Sequence, residues 1–309
     1  MTVKAQFPDE QTTDGAFERQ ADAFRNDLGT EEYPAEAGRY HLYVSLACPW
    51  AHRTVIARKL QRLESAIGMT VVDPVRDERG WRLGTGLGEA DPLNGWAFLS
   101  EAYFSTDPGY RGRVTVPVLW DVRRRRIASN SDDDILRAFG TSFRALGGGN
   151  LDLYPQHLRP EIDALNDLLY ETVNDGVYRA GFATSQHVYD RAAYRVFETL
   201  DAMEERLANR RYLFGSAPVE TDWRFFVTLI RFDAVYFGHF KCNLRRIADY
   251  PNLFGYLRDL YQIDGVAETV DFEHIKRHYY YTHDDINPTR IVPIGPLQDL
   301  LAPHGREPL

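Results

Sequence analysis

The 309-residue chain contains only two cysteines, Cys48 and Cys242. Two thiols cannot form the disulfide framework of a small secreted protein, and cytosolic cysteines are normally kept reduced. The sequence also lacks an apolar run long enough to cross a membrane, and its N-terminal stretch lacks the apolar core of a signal peptide. We therefore expect a cytoplasmic protein that does not span a membrane.

The chain also lacks a net positive charge and a metal-ligand pattern. The formal charge of −9 disfavours a nucleic-acid partner, and the nine histidines lack the cysteine-backed spacing of a zinc site, so we predict no metal. The glycine-rich stretch at 84–89 does not match the dinucleotide-binding fingerprint. The content of 44% hydrophobic and 26% charged residues is ordinary for a globular protein. The length of 309 residues suggests two domains.

Periodicity divides the chain. Polar and apolar residues alternate between Tyr40 and Leu46, which predicts a strand, and apolar residues recur at helical spacing after Pro49. The pattern then predicts a short strand at 68–75, a long loop at 76–113, two strands within 115–130 and an acidic helix start, followed by helices. We expect an arm at 1–38 that lies on the surface, an α/β domain at 39–148, a helical domain at 149–272 and a tail at 273–309 that packs near the active site.

The stretch YVSLACPWAHR carries the strongest chemical signal. Cys48 ends the predicted strand, and Pro49 is favoured at the first helical position because its missing N–H would have had no partner there. Cys48 would then cap the helix, where N–H groups and the helix dipole can lower a thiol pKa from about 8.5 to between about 3.5 and 7.5. His52 and Arg53 would add positive potential. This position favours a thiolate nucleophile over a buried, apolar cysteine.

The neighbours of Cys48 indicate how it would react. A dithiol redox site would have a second cysteine where Ala51 stands, so a mixed disulfide at Cys48 must be resolved by an outside thiol. We interpret Cys242 as a buried structural cysteine. A proline that begins an apolar strand predicts a cis Val116–Pro117 bond, which would offer a backbone N–H and C=O to a peptide-like ligand. The residues alone suggest a monothiol transferase that uses a small thiol twice.

Six stretches of the sequence match one known family. They are SLACPWAHR, GRVTVPVLWD, NDGVYRAGFA, RFDAVYFGHFKCNLRRIADYPNL, GVAETVDFEHIKRHYY and INPTRIVPIGP. They resemble the glutathionyl-hydroquinone reductases, the Xi class of glutathione transferases. The resemblance implies a thioredoxin-like α/β N-terminal domain, an all-α C-terminal domain and a homodimer. It also implies that the Cys48 thiolate attacks the sulfur of an S-conjugated hydroquinone, the hydroquinone leaves with a proton, and a second thiol restores Cys48.

The resemblance assigns further site residues. Tyr178 and Tyr279 match tyrosines that contact the hydroquinone ring, where a hydroxyl would hydrogen-bond a ring oxygen and assist proton movement. Tyr280 is a weaker alternative to Tyr279. Trp81 matches a tryptophan that lies along the bound tripeptide thiol, and the Val116 amide and carbonyl would hold its cysteinyl part. The alternative for the tyrosines and the tryptophan is simple packing.

The thiol-binding residues depart from the family at one point. Where the family has Glu-Ser to bind the γ-glutamyl end of glutathione, this chain has Ser131-Asp132. Asp132 would repel a ligand carboxylate, whereas Arg113 would either pair with one or remain solvated. The co-substrate is therefore expected to be glutathione or another low-molecular-weight thiol, such as mycothiol or γ-glutamylcysteine.

Two other functions remain open. A general deglutathionylase of small mixed disulfides and α-thio ketones would use the same cysteine. A non-catalytic scaffold would keep only the fold, and the strand–Cys–Pro–helix junction at Cys48 argues against it, while the Ser131-Asp132 change argues mildly for it.

Overall fold

The structure is a computed structural model that describes residues 10–307. The chain forms two compact units. The helical unit combines the segment that ends at Arg19 with Pro155–Ala267 and the chain from Tyr279 onward, and the sheet unit comprises Gln20–Tyr154 and Glu268–His278. Within 10–307, no helix is both long and apolar enough to cross a membrane.

A mixed sheet organises the sheet unit. The strands are β1 (Tyr40–Val44), β2 (Ile67–Val71), β3 (Arg76–Asp77), β4 (Gly80–Trp81), β5 (Val118–Asp121) and β6 (Arg126–Ser129). The main sheet has the order β2-β1-β5-β6, with β1 parallel to β2 and antiparallel to β5, and β3 and β4 form a separate hairpin. Because β1 is central, the residue that follows it emerges from the middle of the sheet.

All five residues of β1 are buried. The alternation of polar and apolar residues is typical of a strand with one solvent-exposed face. In β1, however, the polar side chains are also buried, and they have hydrogen-bond partners inside the protein. The Nε2 atom of His41 lies 2.7 Å from Thr70 Oγ1, and the Tyr43 hydroxyl donates to Asp91 at 2.7 Å. Burial lowers the pKa of His41 to about 4, so this side chain is neutral at neutral pH.

Three helices belong to the sheet unit: α1 (Pro49–Leu60), α2 (Ser100–Thr106) and α3 (Asp132–Gly140). The interpretation of 76–113 as one loop is wrong, because the segment contains the β3–β4 hairpin and α2. These elements span two and seven residues, which is too short for a periodic pattern to emerge from a sequence rich in glycine and aspartate.

The remaining helices are α4 (Arg159–Leu169), α5 (Gly176–Gly181), α6 (Gln186–Leu207), α7 (Glu220–Arg231), α8 (Pro251–Gln262) and α9 (Phe272–Thr282). Tyr170–Asn174 and Phe232–Tyr236 are π-helical segments that follow α4 and α7. Helix α9 contributes its first seven residues to the sheet unit and the others to the helical unit. The sequence predicts neither π segment, because their composition does not differ from that of a helix.

The start of α7 corrects an expectation about its cap. Val219 cannot cap a helix through its side chain, so the sequence favours Thr221. Instead, Asp222 reaches back, and its carboxylate accepts hydrogen bonds from the N–H groups of Val219 at 2.8 Å and Leu213 at 3.0 Å. The Tyr256 hydroxyl donates to the same carboxylate at 2.7 Å. Burial nevertheless raises the pKa of Asp222 to about 6.

The N-terminal arm, expected to lie on the surface, contributes aromatic side chains to both units. Phe7 lies outside the described residues. Phe17 is 3% exposed and packs on Phe182 with ring centroids 5.2 Å apart in the helical unit. Tyr33 is 2% exposed, with the Arg124 guanidinium 4.9 Å from its ring centroid in the sheet unit. These aromatic side chains anchor the arm.

Candidate active site

The Cys48 thiol lies at the junction between β1 and α1, directly before the first residue of α1. Cys48 is the N-cap residue of α1, with an extended backbone (φ −77°, ψ 122°), and Pro49 occupies the first helical turn. The residue is partly buried, and its Sγ lies 3.6 Å from the Val116 carbonyl oxygen. The sulfur therefore lies at a helix N-terminus beside a backbone acceptor, in the location that the sequence predicts.

The segment leading to β5 is fixed by side-chain hydrogen bonds. The Val116–Pro117 bond is cis, as predicted. The Tyr103 hydroxyl lies 2.9 Å from the carbonyl oxygen of Thr115 and 3.0 Å from its Oγ1. Val116 is 5% exposed. This anchoring holds the Val116 carbonyl beside the Cys48 sulfur.

Arg113 precedes this segment and is half-buried. Its backbone N–H donates to the Gln20 side chain at 3.2 Å, and its carbonyl accepts from the Tyr110 hydroxyl at 2.7 Å. The sequence expects the Arg113 guanidinium to meet a ligand carboxylate. The two hydrogen bonds hold the Arg113 backbone in place.

The two basic residues that follow Cys48 are engaged with other side chains. His52 is fully buried, and its Nε2 lies 2.8 Å from Thr269 Oγ1. Arg53 is 1% exposed and lies over the Trp50 ring, with its guanidinium carbon 4.6 Å from the ring centroid. The expected positive potential at Cys48 therefore rests mainly on the α1 N-terminus.

The residues that replace Glu-Ser have definite partners. Ser131 is the N-cap of α3, and its Oγ accepts a hydrogen bond from the Asp134 N–H at 3.3 Å. Asp132 Oδ2 lies 2.7 Å from Arg53 Nη1, and Asp133 Oδ1 lies 3.4 Å from the same nitrogen. The Asp132 charge is thus compensated by a buried arginine, a pairing that the sequence alone does not predict. Only the fold brings Arg53 to α3, since these residues lie 79 positions apart.

Trp81 lies in β4 and is 5% exposed. Its ring stacks on His278 with centroids 5.1 Å apart and an interplanar angle of 28°, and His278 Nδ1 lies 2.7 Å from the Pro74 carbonyl oxygen. The Trp81 indole N–H is buried and has no hydrogen-bond acceptor among residues 10–307. The Trp81 ring is therefore held in place by stacking, and its indole N–H is a hydrogen-bond donor without an acceptor among the described residues.

In the helical unit, Tyr178 on α5 meets Tyr279 on α9. Their hydroxyl oxygens lie 2.5 Å apart, and the residues are 8% and 1% exposed. The hydroxyl of Tyr236 lies 3.2 Å from that of Tyr279. Burial raises the pKa of Tyr279 well above its usual value, and the neighbouring tyrosines reinforce the shift. Tyr236 stands in one of the matched stretches, but nothing in the sequence shows that its hydroxyl lies beside that of Tyr279.

The second cysteine, Cys242, and two of the histidines, His239 and His283, are buried. Cys242 is fully buried, and burial raises the pKa of its thiol to about 12. His239 Nε2 lies 3.2 Å from His283 Nδ1. In the part of the chain that the structure describes, no group of three or more His, Cys, Asp or Glu side chains is arranged to hold a metal ion.

Comparison with known proteins extends these observations. Residues 186–259 match the glutathione S-transferase C-terminal domain family. Glutathionyl-hydroquinone reductase YqjG of Escherichia coli is 52% identical, over 97% of this chain and 94% of its own length. Glutathionyl-hydroquinone reductase PcpF of Sphingobium chlorophenolicum is 46% identical, over 94% of this chain and 93% of its own length.

Solved structures show the same architecture. The glutathione-bound structure of Escherichia coli YqjG matches with a TM-score of 0.88 and 50% identity, over 96% of this chain and 99% of that chain. The glutathione-S-transferase Xi of Phanerochaete chrysosporium matches with a TM-score of 0.90 and 47% identity, over 93% and 95%. The expected glutathione-transferase architecture, an α/β N-terminal domain followed by an all-α domain, is confirmed. The chain belongs to the glutathionyl-hydroquinone reductases, the Xi class of glutathione transferases.

Proposed function

We propose that this enzyme reduces S-conjugated hydroquinones with a low-molecular-weight thiol, through a mixed disulfide at Cys48. The position of Cys48 carries the proposal: its sulfur stands at the α1 N-terminus, 3.6 Å from the Val116 carbonyl oxygen. The relatives named glutathionyl-hydroquinone reductases support the reaction class. Because the chain belongs to this family of enzymes, the non-catalytic scaffold is set aside.

The proposed chemistry balances without an added cofactor. The Cys48 thiolate attacks the conjugate sulfur, an S–S bond forms, and the S–C bond to the ring breaks. The ring carbon takes the electron pair and a proton, so the hydroquinone leaves reduced. A second thiolate then attacks the mixed disulfide, which releases the small-molecule disulfide and restores Cys48. Overall, one free thiol is consumed: its sulfur and the conjugate sulfur are oxidised to a disulfide, and the ring carbon takes up the two electrons.

The backbone of Val116 and the ring of Trp81 are proposed to bind the thiol moiety. The Val116 carbonyl, already beside the reacting sulfur, would accept an N–H of the cysteinyl part. The Trp81 ring, backed by His278, would lie along the ligand, and its indole N–H would donate to a ligand carbonyl. The Arg113 guanidinium is proposed to pair with a ligand carboxylate.

Tyr178 and Tyr279 are proposed to bind the hydroquinone ring. A hydroxyl donor to a ring oxygen stabilises the charge that develops as the S–C bond breaks. The two hydroxyls already share a hydrogen bond, so a ring oxygen that meets one of them acts on the pair. Burial disfavours the phenolate of Tyr279, which keeps this hydroxyl a donor at neutral pH.

The identity of the thiol turns on Ser131 and Asp132. Glutathione is supported by the glutathione-bound relative. However, Asp132 places a carboxylate at the start of α3, where it pairs with Arg53. We propose that glutathione is accepted but bound weakly, and that mycothiol or γ-glutamylcysteine is the alternative co-substrate.

One assay tests the proposal and its closest alternative. Purified protein is given a glutathionyl-benzohydroquinone or a small mixed disulfide, with each candidate thiol in turn. Turnover of the conjugate to the hydroquinone supports the proposal. Turnover of the disulfide alone would make the enzyme a general deglutathionylase instead.

The cytoplasmic location and the homodimer remain predictions. Light scattering in solution tests whether the protein is a homodimer.

A further inference from the structure

Asn130 lies between two parts of the proposed thiol site. It directly precedes Ser131, the N-cap of α3, and its side chain donates a hydrogen bond to Thr115, which directly precedes Val116. The proposed function assigns the cysteinyl part of the thiol to Val116, and the choice of thiol to Ser131 and Asp132. One side chain therefore links both parts of the site.

Both polar atoms of the Asn130 side chain have partners. The residue is 3% exposed, and its Oδ1 accepts a hydrogen bond from the Phe24 N–H at 2.8 Å. Its Nδ2 donates to Thr115 Oγ1 at 3.2 Å and to the Tyr103 hydroxyl at 3.3 Å. Because a side-chain amide has one acceptor oxygen and two N–H donors, these three bonds fix both the place and the orientation of the group.

The Tyr103 hydroxyl joins Asn130 to the backbone of Thr115. This hydroxyl accepts from the Thr115 N–H at 3.1 Å and donates to the Thr115 carbonyl oxygen at 2.9 Å. Burial raises the pKa of Tyr103, so the hydroxyl keeps its proton at neutral pH. The Thr115 carbonyl and the Val116 N–H belong to one planar peptide unit, so fixing the first also orients the second.

Hydrogen bonds also hold the chain at the start of α3. The Asn130 N–H donates to the Phe24 carbonyl oxygen at 2.9 Å, and the Ser131 N–H donates to Ser129 Oγ at 3.1 Å. The Ser131 side chain is in turn engaged as the N-cap of α3. The backbone that leads into α3 is thus fixed at the point from which the Asn130 side chain reaches Thr115.

From this geometry we infer that Asn130 is a positioning residue for thiol recognition, which sets the spacing between the Val116 backbone and the start of α3. A thiol with a peptide-like cysteinyl part and an ionised end has to match this spacing. A reagent that meets only the Cys48 sulfur does not. The inference rests on the proposed function, in which Val116 binds the thiol moiety.

The test uses S-methylglutathione, whose thioether cannot undergo disulfide exchange, so binding is measured apart from turnover. In calorimetric titration, Asn130→Ala should raise its Kd about 5- to 30-fold, the size expected for two net hydrogen bonds. The rate at which iodoacetamide alkylates Cys48 should stay within about twofold, because this reagent needs only the thiolate. A role confined to the stability of the fold would not separate these two measurements.

Two further variants show which attachment of Asn130 matters. Thr115→Val removes the hydroxyl that accepts from Asn130 and keeps the shape of the side chain. It should raise the Kd about 2- to 5-fold and add nothing in the Asn130→Ala background. Asn26→Ala is the matched control, because Asn26 Nδ2 donates to the Ala128 carbonyl oxygen at 2.7 Å and so ties the arm to β6 outside the thiol site. Its Kd should stay within about twofold.

An unchanged Kd in folded Asn130→Ala would overturn the role of Asn130, and so would an equal rise in Asn26→Ala. If Asn130→Ala fails to fold, as judged by circular dichroism, folded Thr115→Val decides, and an unchanged Kd there overturns the inference. Absence of S-methylglutathione binding by the unmodified protein would refute the thiol site on which the inference rests. Failure to reduce glutathionyl-benzohydroquinone, with binding intact, would refute only the proposed reaction.

Discussion

Arg53 on α1 and Asp132 at the start of α3 form a buried ion pair, with 2.7 Å between Nη1 and Oδ2. The Arg53 side chain is 1% exposed, so it depends on this partner for compensation of its charge. Asp132 holds one nitrogen of the Arg53 guanidinium and keeps its own carboxylate at the start of α3. Substitution of Asp132 therefore tests which thiol the enzyme uses.

We predict that glutathione is a poor co-substrate and that the double change Ser131→Glu with Asp132→Ser improves it. Two carboxylates opposed in a partly solvated cleft repel by about 1–4 kcal/mol, and pairing with Arg53 points to the lower end. The exchange removes the carboxylate at position 132 and with it that repulsion, so the KM for glutathione should fall about fivefold or more.

Asp133→Ser is the matched control for this exchange. It removes an equal charge that lies farther from Arg53, at 3.4 Å, and leaves the Arg53–Asp132 pair intact. Its KM for glutathione should therefore stay close to that of the unmodified enzyme. A sub-millimolar KM before the exchange, made worse by it, would show that Ser131 and Asp132 read glutathione in another geometry.

Tyr178→Phe and Tyr279→Phe should separate the two substrate classes. Loss of a hydrogen bond to a developing charge costs about 1.5–3 kcal/mol, so turnover of hydroquinone conjugates should fall roughly 10- to 150-fold. Reduction of a small disulfide without a ring oxygen should fall much less. Steady-state kcat on both substrates decides, and parallel losses would mean that the tyrosines only maintain the fold.

The two cysteines should differ sharply in reactivity. Cys48 is partly accessible at a helix N-terminus, whereas burial raises the pKa of Cys242 to about 12. Iodoacetamide at neutral pH should therefore label Cys48 in the folded protein and leave Cys242 unmodified, as read by peptide mass spectrometry. Unfolded protein, in which both should react, is the control. Preferential labelling of Cys242 in the folded state would contradict the proposed assignment.

Asp222 should make stability depend on pH. Burial raises its folded pKa to about 6, above the unfolded value of about 3.9. Its contribution is therefore fully present below about pH 4 and is lost as pH rises through about 6. Relative to Asp222→Asn, the unmodified protein should lose on the order of 2 kcal/mol of unfolding free energy between pH 4 and pH 7. Urea unfolding of both proteins measures this, and a pH-independent difference would refute the shift.

Local features of the sequence predict local features of the fold well. Pro49 after Cys48 marks the start of α1 because proline suits the first helical turn, and the acidic run 132–134 marks the start of α3. By contrast, α2 and the β3–β4 hairpin are too short to produce a periodic pattern, so the sequence shows only a loop there.

Long-range pairs lie beyond such patterns. The partners Tyr178 and Tyr279 are 101 residues apart, and Tyr236, which lies in a π segment, is 43 residues from Tyr279. The Arg53–Asp132 pair is likewise made by the packing of two helices. The sequence therefore identifies candidate residues one by one, whereas their mutual hydrogen bonds and ion pairs require the fold.

The most direct measurement follows both products of a glutathionyl-benzohydroquinone, the hydroquinone and the disulfide of the thiol, in the unmodified enzyme, Cys48→Ser and Cys242→Ser. Serine can occupy the same N-cap but is not ionised near pH 7, so Cys48→Ser should remain folded by circular dichroism and form neither product. Cys242→Ser should form both at nearly the unmodified rate. Product formation by folded Cys48→Ser, or its loss in folded Cys242→Ser alone, would contradict the proposed mechanism.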